Sequence, residues 1–244
     1  LALVVELIGW RSFMLYLGLF SILLAVGLYC FVKNPEKSKN LDKGSFFDLL
    51  KIRQLWFILP LVLIHYAPVA GIRGLWIGPY INDNFYSASN LAFATTAMSL
   101  AMIAGTFAYG PMDRIFSTRK WIIFIGSSVS LVSLISLALF NDISFNMAVF
   151  LFCTLGFFGM SYPLMIAHGR SFSPENLTGR CVTLLNMFAI GGVGIFQFLT
   201  GRIFSKLTEV HNNNHEAYTI IFLFYASALF LGLILYLKSK DRLD

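Results

Sequence analysis

The sequence predicts an all-α fold, a polytopic bundle of membrane-spanning helices. Three observations carry that prediction. Of 244 residues, 57% are hydrophobic and only 12% charged, where a soluble domain holds about 25% charged residues. Mean hydropathy is +0.74. The apolar residues gather into stretches of roughly 20, the length a helix needs to cross a bilayer core. Barrel strands would be about 9–11 residues long with alternating polarity. The same composition excludes an ordinary soluble enzyme, and 16% aromatic content excludes disorder.

The elements follow in order. The chain opens at Leu1 inside an apolar stretch, 1–9, which reads as the tail of a preceding helix. No basic region and small-residue cleavage site precede it, so it does not read as a signal peptide. The expectation is a processed chain or part of a longer one. The first complete span is 12–32. The longest loop, 33–54, is rich in Lys, Asp, Asn and Ser. Its Phe46-Phe47-Asp48-Leu49-Leu50 tail reads as a short amphipathic helix lying on the membrane face. Six further spans are expected at 55–80, 85–109, 121–140, 145–168, 181–204 and 218–237. Pro68, Gly71 and Gly74 allow the 55–80 span to bend or break. Tyr162-Pro163 marks a kink in 145–168. Gly191, Gly192, Gly194 and Gly201 let a neighbour approach the 181–204 span closely. No short internal repeat is present. Cys30, Cys153 and Cys181 are scattered and odd in number, which fits small apolar residues rather than a disulfide framework or a metal site.

Charge placement orients the spans. One set of alternate loops holds Lys33, Lys37, Lys39, Lys43, Lys51, Arg53, Arg114, Arg119, Lys120, Arg170, Arg180, Lys238, Lys240 and Arg242, fourteen of the eighteen basic residues. The opposite side holds Arg11, Arg202 and Lys206. The positive-inside rule puts the fourteen in the cytoplasm, together with the C-terminus. The formal charge of +6 is therefore a record of topology, and nucleic acid is dropped as a partner. The Asn176-Leu177-Thr178 sequon falls on the cytoplasmic side and reads as chance.

Intramembrane polar groups are the candidate binding residues, because each is costly. All twelve carboxylates lie outside the middle of the spans, so a proton-coupling carboxylate is expected elsewhere. His65 is the one titratable mid-span substitute. Arg73 lies eight residues further on, about 12 Å along a helix. Tyr66, Arg73 and Tyr80 are spaced by seven and are expected to share a face. The guanidinium would recognise a carboxylate or phosphate, or snorkel to the outer headgroups. Trp76 lies one turn beyond. Asn186 and Gln197 are eleven apart, so they face one way, toward a solute or toward another helix. Tyr162 is a cavity candidate. Thr95, Thr96 and Ser99 are expected to bond their own helix carbonyls. His168 reads as structural, and the many Phe residues as packing or lipid-facing.

The stretch Gly110-Pro111-Met112-Asp113-Arg114-Ile115-Phe116-Ser117-Thr118-Arg119-Lys120 resembles the loop motif of the major facilitator superfamily, a glycine followed by Asp-Arg and a basic pair. It matches at Gly110, Asp113, Arg114, Arg119 and Lys120. It departs in the glycine-to-Asp spacing and in lacking the second glycine, as the second-half copy does. Gly9-Trp10-Arg11 is similar to the entry to helix six. Ser173-Pro174-Glu175, with Thr178-Gly179-Arg180 and Asn186, is similar to the junction of helices ten and eleven. Gly74-Leu75-Trp76-Ile77-Gly78-Pro79-Tyr80 resembles the outer end of helix seven. The resemblance implies the C-terminal six-helix half of a major facilitator fold plus helix six. Residues 1–32 would be the end of helix five and helix six, 33–54 the inter-bundle linker and 55–244 the C-terminal bundle. The missing partner is then an N-terminal bundle of the same protein. Ser173 would cap a helix start, Pro174 suit its first turn and Glu175 complement its positive end. Asp113 is expected to pair with Arg180 or with the amide end of the Cys181 helix. Asp113, Arg114, Arg119, Lys120, Glu175 and Arg180 would thus form a cytoplasmic latch.

The function expected is secondary transport. A small solute, anionic or zwitterionic, would cross a bacterial inner membrane by alternating access. The expected partners are the solute and the lipid bilayer, with no cofactor and no metal. An alternative is a transporter-like sensor that binds a solute without moving it. A retinal pigment needs a buried lysine, which no span holds. A receptor would begin with a soluble segment. A membrane enzyme would need a polar cluster at depth, which is absent from the sequence pattern.

Overall fold

Backbone N–H and C=O groups find no water inside a bilayer, so so apolar a chain must bond them within helices. That is what the computed structural model contains. It describes residues 9–32, 45–140, 143–211 and 214–243. The 1–8 tail and most of the 33–54 linker lie outside the described residues. Every regular element among those described is helical, and seven helices are long and apolar enough to cross a membrane, as the sequence predicts.

The chain divides into two units, Leu1–Asp42 and Lys43–Asp244. The first holds α1 (Trp10–Phe31), 22 residues entered at Gly9 with φ 77° and with no residue buried. The second begins with α2 (Phe46–Leu50), the short amphipathic helix expected there. Ser45 and Asp48 cap it reciprocally. Leu49 is buried while Phe47 is 70% exposed.

The next span is assembled from α3 (Arg53–His65), α4 (Ala67–Gly71), a π-helical turn at Ile72–Trp76, and α5 (Ile77–Phe85). It runs five residues past its predicted end, and the chain turns at Tyr86, where φ is 44°. The break at Tyr66 has a local cause, since Pro68 offers no N–H to the Ile64 carbonyl. α6 (Ala88–Phe116) starts where Ser87 Oγ accepts the Asn90 N–H. It continues through Pro111, so the break predicted at Gly110 does not occur. The connection is only Ser117, Thr118 and Arg119. Ser117, at φ 52°, performs the reversal that a second glycine would make easier.

α7 (Lys120–Leu139) follows. The 145–168 span is α8 (Phe145–Gly159) and α9 (Tyr162–Arg170), broken where Pro163 leaves the Gly159 carbonyl without its helical partner. A 3-10 turn, Glu175–Leu177, leads into α10 (Thr178–His211), and α11 (Asn214–Tyr236) closes the bundle. Glu175 stands in the first turn as expected. Ser173 does not cap that start. Its hydroxyl donates backward to the Arg170 carbonyl at 2.8 Å, finishing α9 instead.

The α3–α5 span occupies the middle, against α9, α10 and α11, while α6 packs on α8 and α7 on α8 and α11. Two glycines set the closest approaches of one helix backbone to another. A Cβ at Gly105 would overlap the Phe157 carbonyl, and one at Gly192 the Leu63 carbonyl. Ile58, Leu61, Ile72, Phe152, Leu155, Phe222 and Leu229 are fully buried between the helices. At the end away from the basic loops, Tyr80 meets Phe152 and Tyr218 edge-on, at 5.5 and 5.3 Å between ring centroids. Each such pair adds about 0.5–1.5 kcal/mol beyond area burial. Phe93, Phe107, Phe198 and Phe230 point outward, as lipid-facing residues should.

Candidate functional site

Two helices break at the same level and touch there. Tyr66 ends α3, and Met160 and Ser161 separate α8 from α9. The Tyr66 and Tyr162 rings stack at 5.2 Å and 27°. Val69 lies so close over Gly159 that a Cβ there would overlap it. Between the two breaks sits His65, 2% exposed. Its Nδ1 is 3.0 Å from Ser127 Oγ and its Nε2 is 2.9 Å from Ser161 Oγ. Ser127 already donates its one proton to the Ile123 carbonyl at 2.7 Å. It therefore accepts from His65 Nδ1–H, and Ser161 donates to Nε2. His65 joins α3 to α7 and to the entry of α9, and is enclosed rather than open to a solute.

The half-buried side of the breaks carries the other candidates. Tyr162 donates its hydroxyl to Asn186 Oδ1, and Asn186 Nδ2 donates to the Val182 carbonyl at 2.9 Å. Tyr66, Tyr162 and Asn186 are thus one continuous surface across three helices. Arg73 emerges from the π-helical turn, exposed. Its Nε donates to Ser99 Oγ at 3.0 Å, and Ser99 donates to the Thr95 carbonyl at 2.7 Å. The guanidinium is held by one edge, and its terminal nitrogens bond nothing among the described residues. Gln197 faces the same turn, with Nε2 3.8 Å from where a Gly74 Cβ would stand. Trp76 is 6% exposed and packs inward, its Nε1 donating to Thr200 Oγ1 at 3.2 Å and its ring 5.1 Å from Phe204.

Spacing by seven does not keep Tyr66, Arg73 and Tyr80 on one face. The helix breaks at Tyr66, and a π turn carries an extra residue, so Arg73 is exposed while Tyr80 is 2% exposed. Thr95 and Ser99 do bond their own helix. Sequence reasoning missed that Ser99 also receives Arg73, and that Thr200 receives Trp76. A polar side chain opposite an intramembrane cation was the available signal.

The basic end holds a second cluster. Asp113 pairs with Arg119, Nε to Oδ2 at 3.0 Å, with side chains 14% and 8% exposed. This corrects the expected pairing with Arg180 or the Cys181 helix, because the Ser117 turn returns Arg119 onto Asp113. Arg114, Glu175 and Arg180 are exposed, and Arg180 makes no ion pair among the described residues. A polar groove of about 410 Å³ lies against Asp113, with Arg114, Ser117, Arg119 and Arg170 in its wall.

Beyond α11 the chain folds back over this end. Asp241 accepts the Thr118 hydroxyl and the N–H groups of Arg119 and Lys120, at 3.1 and 3.0 Å for the amides. It thereby caps α7. Lys120 Nζ returns the contact, donating to the Leu237 and Ser239 carbonyls at 2.7 and 2.6 Å, and caps α11. Partial burial pushes the Asp241 carboxyl up, but the Thr118 hydroxyl and the Lys120 and Arg119 amides outweigh it. The group stays charged to lower pH than an ordinary carboxylate. His168, fully buried, donates Nε2–H to the Lys240 carbonyl at 3.0 Å and accepts the Tyr236 hydroxyl at Nδ1 at 2.8 Å. Its expected structural role is what these bonds describe. Among the described residues no cluster of His, Cys, Asp and Glu could hold a metal ion.

Comparison with known proteins places this geometry. Residues 62–243 match the family described as Major Facilitator Superfamily. No curated protein matches the chain. Among solved structures, the inward-open conformation of the xylose transporter XylE from E. coli is similar, with a TM-score of 0.59 and 15% identity. The match covers 81% of this chain and 48% of that one. At this identity the likeness is one of fold, and the chain spans about half the length of that structure.

Proposed function

The chain belongs to the Major Facilitator Superfamily, and from that premise we propose that it forms the C-terminal part of a secondary transporter. Residues 1–32 are then the end of helix five and helix six, 33–54 the connector and 55–244 the C-terminal bundle. An N-terminal bundle completes the protein, and the solute crosses between the two by alternating access. The basic end faces the cytoplasm, by the positive-inside rule, in a bacterial inner membrane.

We propose further that the solute is anionic or zwitterionic. The observation that carries this is Arg73, a guanidinium within a span, anchored through Nε by Ser99, with its remaining nitrogens unbonded among the described residues. An Arg fork suits a carboxylate or phosphate. Tyr66, Tyr162, Asn186 and Gln197 add stacking and amide contacts, with His65 and Trp76 behind them. At the basic end, Asp113 and Arg119, with Arg114, Lys120, Glu175 and Arg180, serve as the latch. Asp113→Asn should change transport rate and accessibility from the cytoplasmic side; unchanged values for both remove the latch.

Thermal stabilisation over a panel of organic acids, phosphorylated compounds, amino acids, organic cations and a neutral pentose tests the solute class. The pentose belongs in the panel because the structural neighbour is a xylose transporter. Anionic or zwitterionic members should raise the Tm of the parent chain and not of Arg73→Ala. Stabilisation by cations or the pentose alone, equal in both proteins, overturns the assignment. Solute accumulation in vesicles carrying the complete protein separates a carrier from a sensor.

A further inference from the structure

His65 occupies a place that solute recognition does not explain. Pro68 and Pro163 each remove a backbone donor, so the α3/α4 and α8/α9 spans would break even if they lay apart. They break side by side, and four contacts hold the breaks together: His65 to Ser161, His65 to the Gly159 backbone, Tyr66 on Tyr162, and Val69 over Gly159. Of the four, only the two made by the His65 ring are directional bonds between buried groups, and the one to Ser161 is the one that ties a side chain beyond the break. Ser161, like His65, is shut away from solvent. A buried hydroxyl left without its acceptor is costly, so Ser161 has reason to stay where Nε2 is. Tyr162 follows Ser161 directly, as Tyr66 follows His65. Fixing the His65–Ser161 pair therefore fixes the stacked tyrosines one residue on, and through the Tyr162 hydroxyl it fixes Asn186.

We propose that His65 is a positioning residue. Through Nε2 and Ser161 it locks the two helix breaks in register, so that Tyr66, Tyr162 and Asn186 present one surface. The bond from Nδ1 to Ser127 orients the ring and sets its tautomer but does not itself hold the register. The value of that surface for transport rests on the reading above, whereas the lock itself is measurable without any solute.

Two amides substitute for the two ring nitrogens separately. The asparagine amide reaches as far from Cβ as Nδ1 does, and the glutamine amide as far as Nε2. His65→Gln keeps an acceptor for Ser161, and His65→Asn keeps a partner for Ser127 only. The test is hydrogen–deuterium exchange on the 244-residue chain in lipid nanodiscs. It is read at Ala70 and Met165, whose N–H groups donate to the Tyr66 and Ser161 carbonyls at 3.0 and 3.1 Å. The amides of 98–106 in α6 are the reference. Exchange at both probes should rise about tenfold in His65→Ala and His65→Asn. It should stay within about threefold of the parent in His65→Gln, with α6 unchanged. Ser161→Ala removes the same bond from the smaller side and should match His65→Ala, which keeps the test available if His65→Ala does not fold. The proposal is overturned if His65→Asn protects and His65→Gln does not, if no variant changes either probe, or if α6 accelerates by the same factor.

Discussion

Two neighbouring glycines in α10 should respond to the same methyl group with opposite sign. Gly192 is buried, and a Cβ added there would overlap the Leu63 carbonyl of α3. That obstacle is backbone, so it cannot rotate away. Gly191, one residue earlier, has nothing within 4 Å of its Cβ position. Overfilling a packed contact costs about 1–3 kcal/mol. Replacing glycine inside a helix returns about 0.5–1 kcal/mol. With the upper part of the first range against the second, Gly192→Ala should lose about 2 kcal/mol. For a chain of this size that is a fall of about 4–8 °C in Tm. Gly191→Ala carries only the favourable part, a rise of about 1–4 °C. Both shifts can be read from a melt of the purified chain in detergent, followed by circular dichroism. Shifts of the same sign and size in the two variants would refute the claim that α10 touches α3 through Gly192 and leaves Gly191 facing away.

Three further outcomes are expected. Asp241→Asn keeps an oxygen acceptor for the cap and removes only its charge, so it should cost about 0.3–1 kcal/mol of stability, read as a lower Tm. Because the folded carboxyl titrates below its unfolded value, that stability is present above the ordinary carboxylate pKa and is lost as pH falls through the folded one. The difference between parent and variant, measured from pH 7 to pH 3, should therefore shrink toward the acid end; a constant difference would remove the charge from the explanation. Asp113→Ala and Arg119→Ala should couple in a double-mutant cycle of thermal stability by about 1–3 kcal/mol, and strict additivity would show that their 3.0 Å contact has no energetic weight. Tyr236→Phe takes the donor from His168 Nδ1 inside the bundle and should cost about 1–2 kcal/mol by the same melt; no loss would mean that another donor reaches the ring.

The spans were legible because runs of apolar residues carry their own length, and in lipid only a helix satisfies the backbone of such a run. The breaks at Tyr66 and before Tyr162 were legible for a similarly local reason, a proline. Where prediction failed, the deciding term lay elsewhere in the chain. The span expected to end at Tyr109 runs on through Pro111 to Phe116 and turns at Ser117. Asp113 was given a distant partner, when a left-handed serine brought Arg119 back onto it. The shared face of Tyr66, Arg73 and Tyr80 assumed 3.6 residues per turn through a segment that breaks and then widens. Arg73, Tyr162 and Asn186 could be chosen from sequence as polar groups in an apolar context. That Ser99 anchors Arg73, and that His65 is enclosed by two serines, depends on how α6, α7 and α9 pack, and serine at those positions gives no sign of it.

The exchange of caps between Lys120 and Asp241 also orders events during synthesis. Chains are made from the N-terminus, and their parts fold as they become available. When α7 first enters the membrane, the acceptor for its leading amides has not yet been translated. It arrives 121 residues later, counted from Lys120, after three more transmembrane spans. Until then the leading amides of α7 and the Nε2–H of His168 must borrow water or lipid headgroups. The basic end is therefore finished only when residues 237–241 emerge, and a chain stopped at Tyr236 would hold the seven spans found among the described residues yet leave that end uncapped.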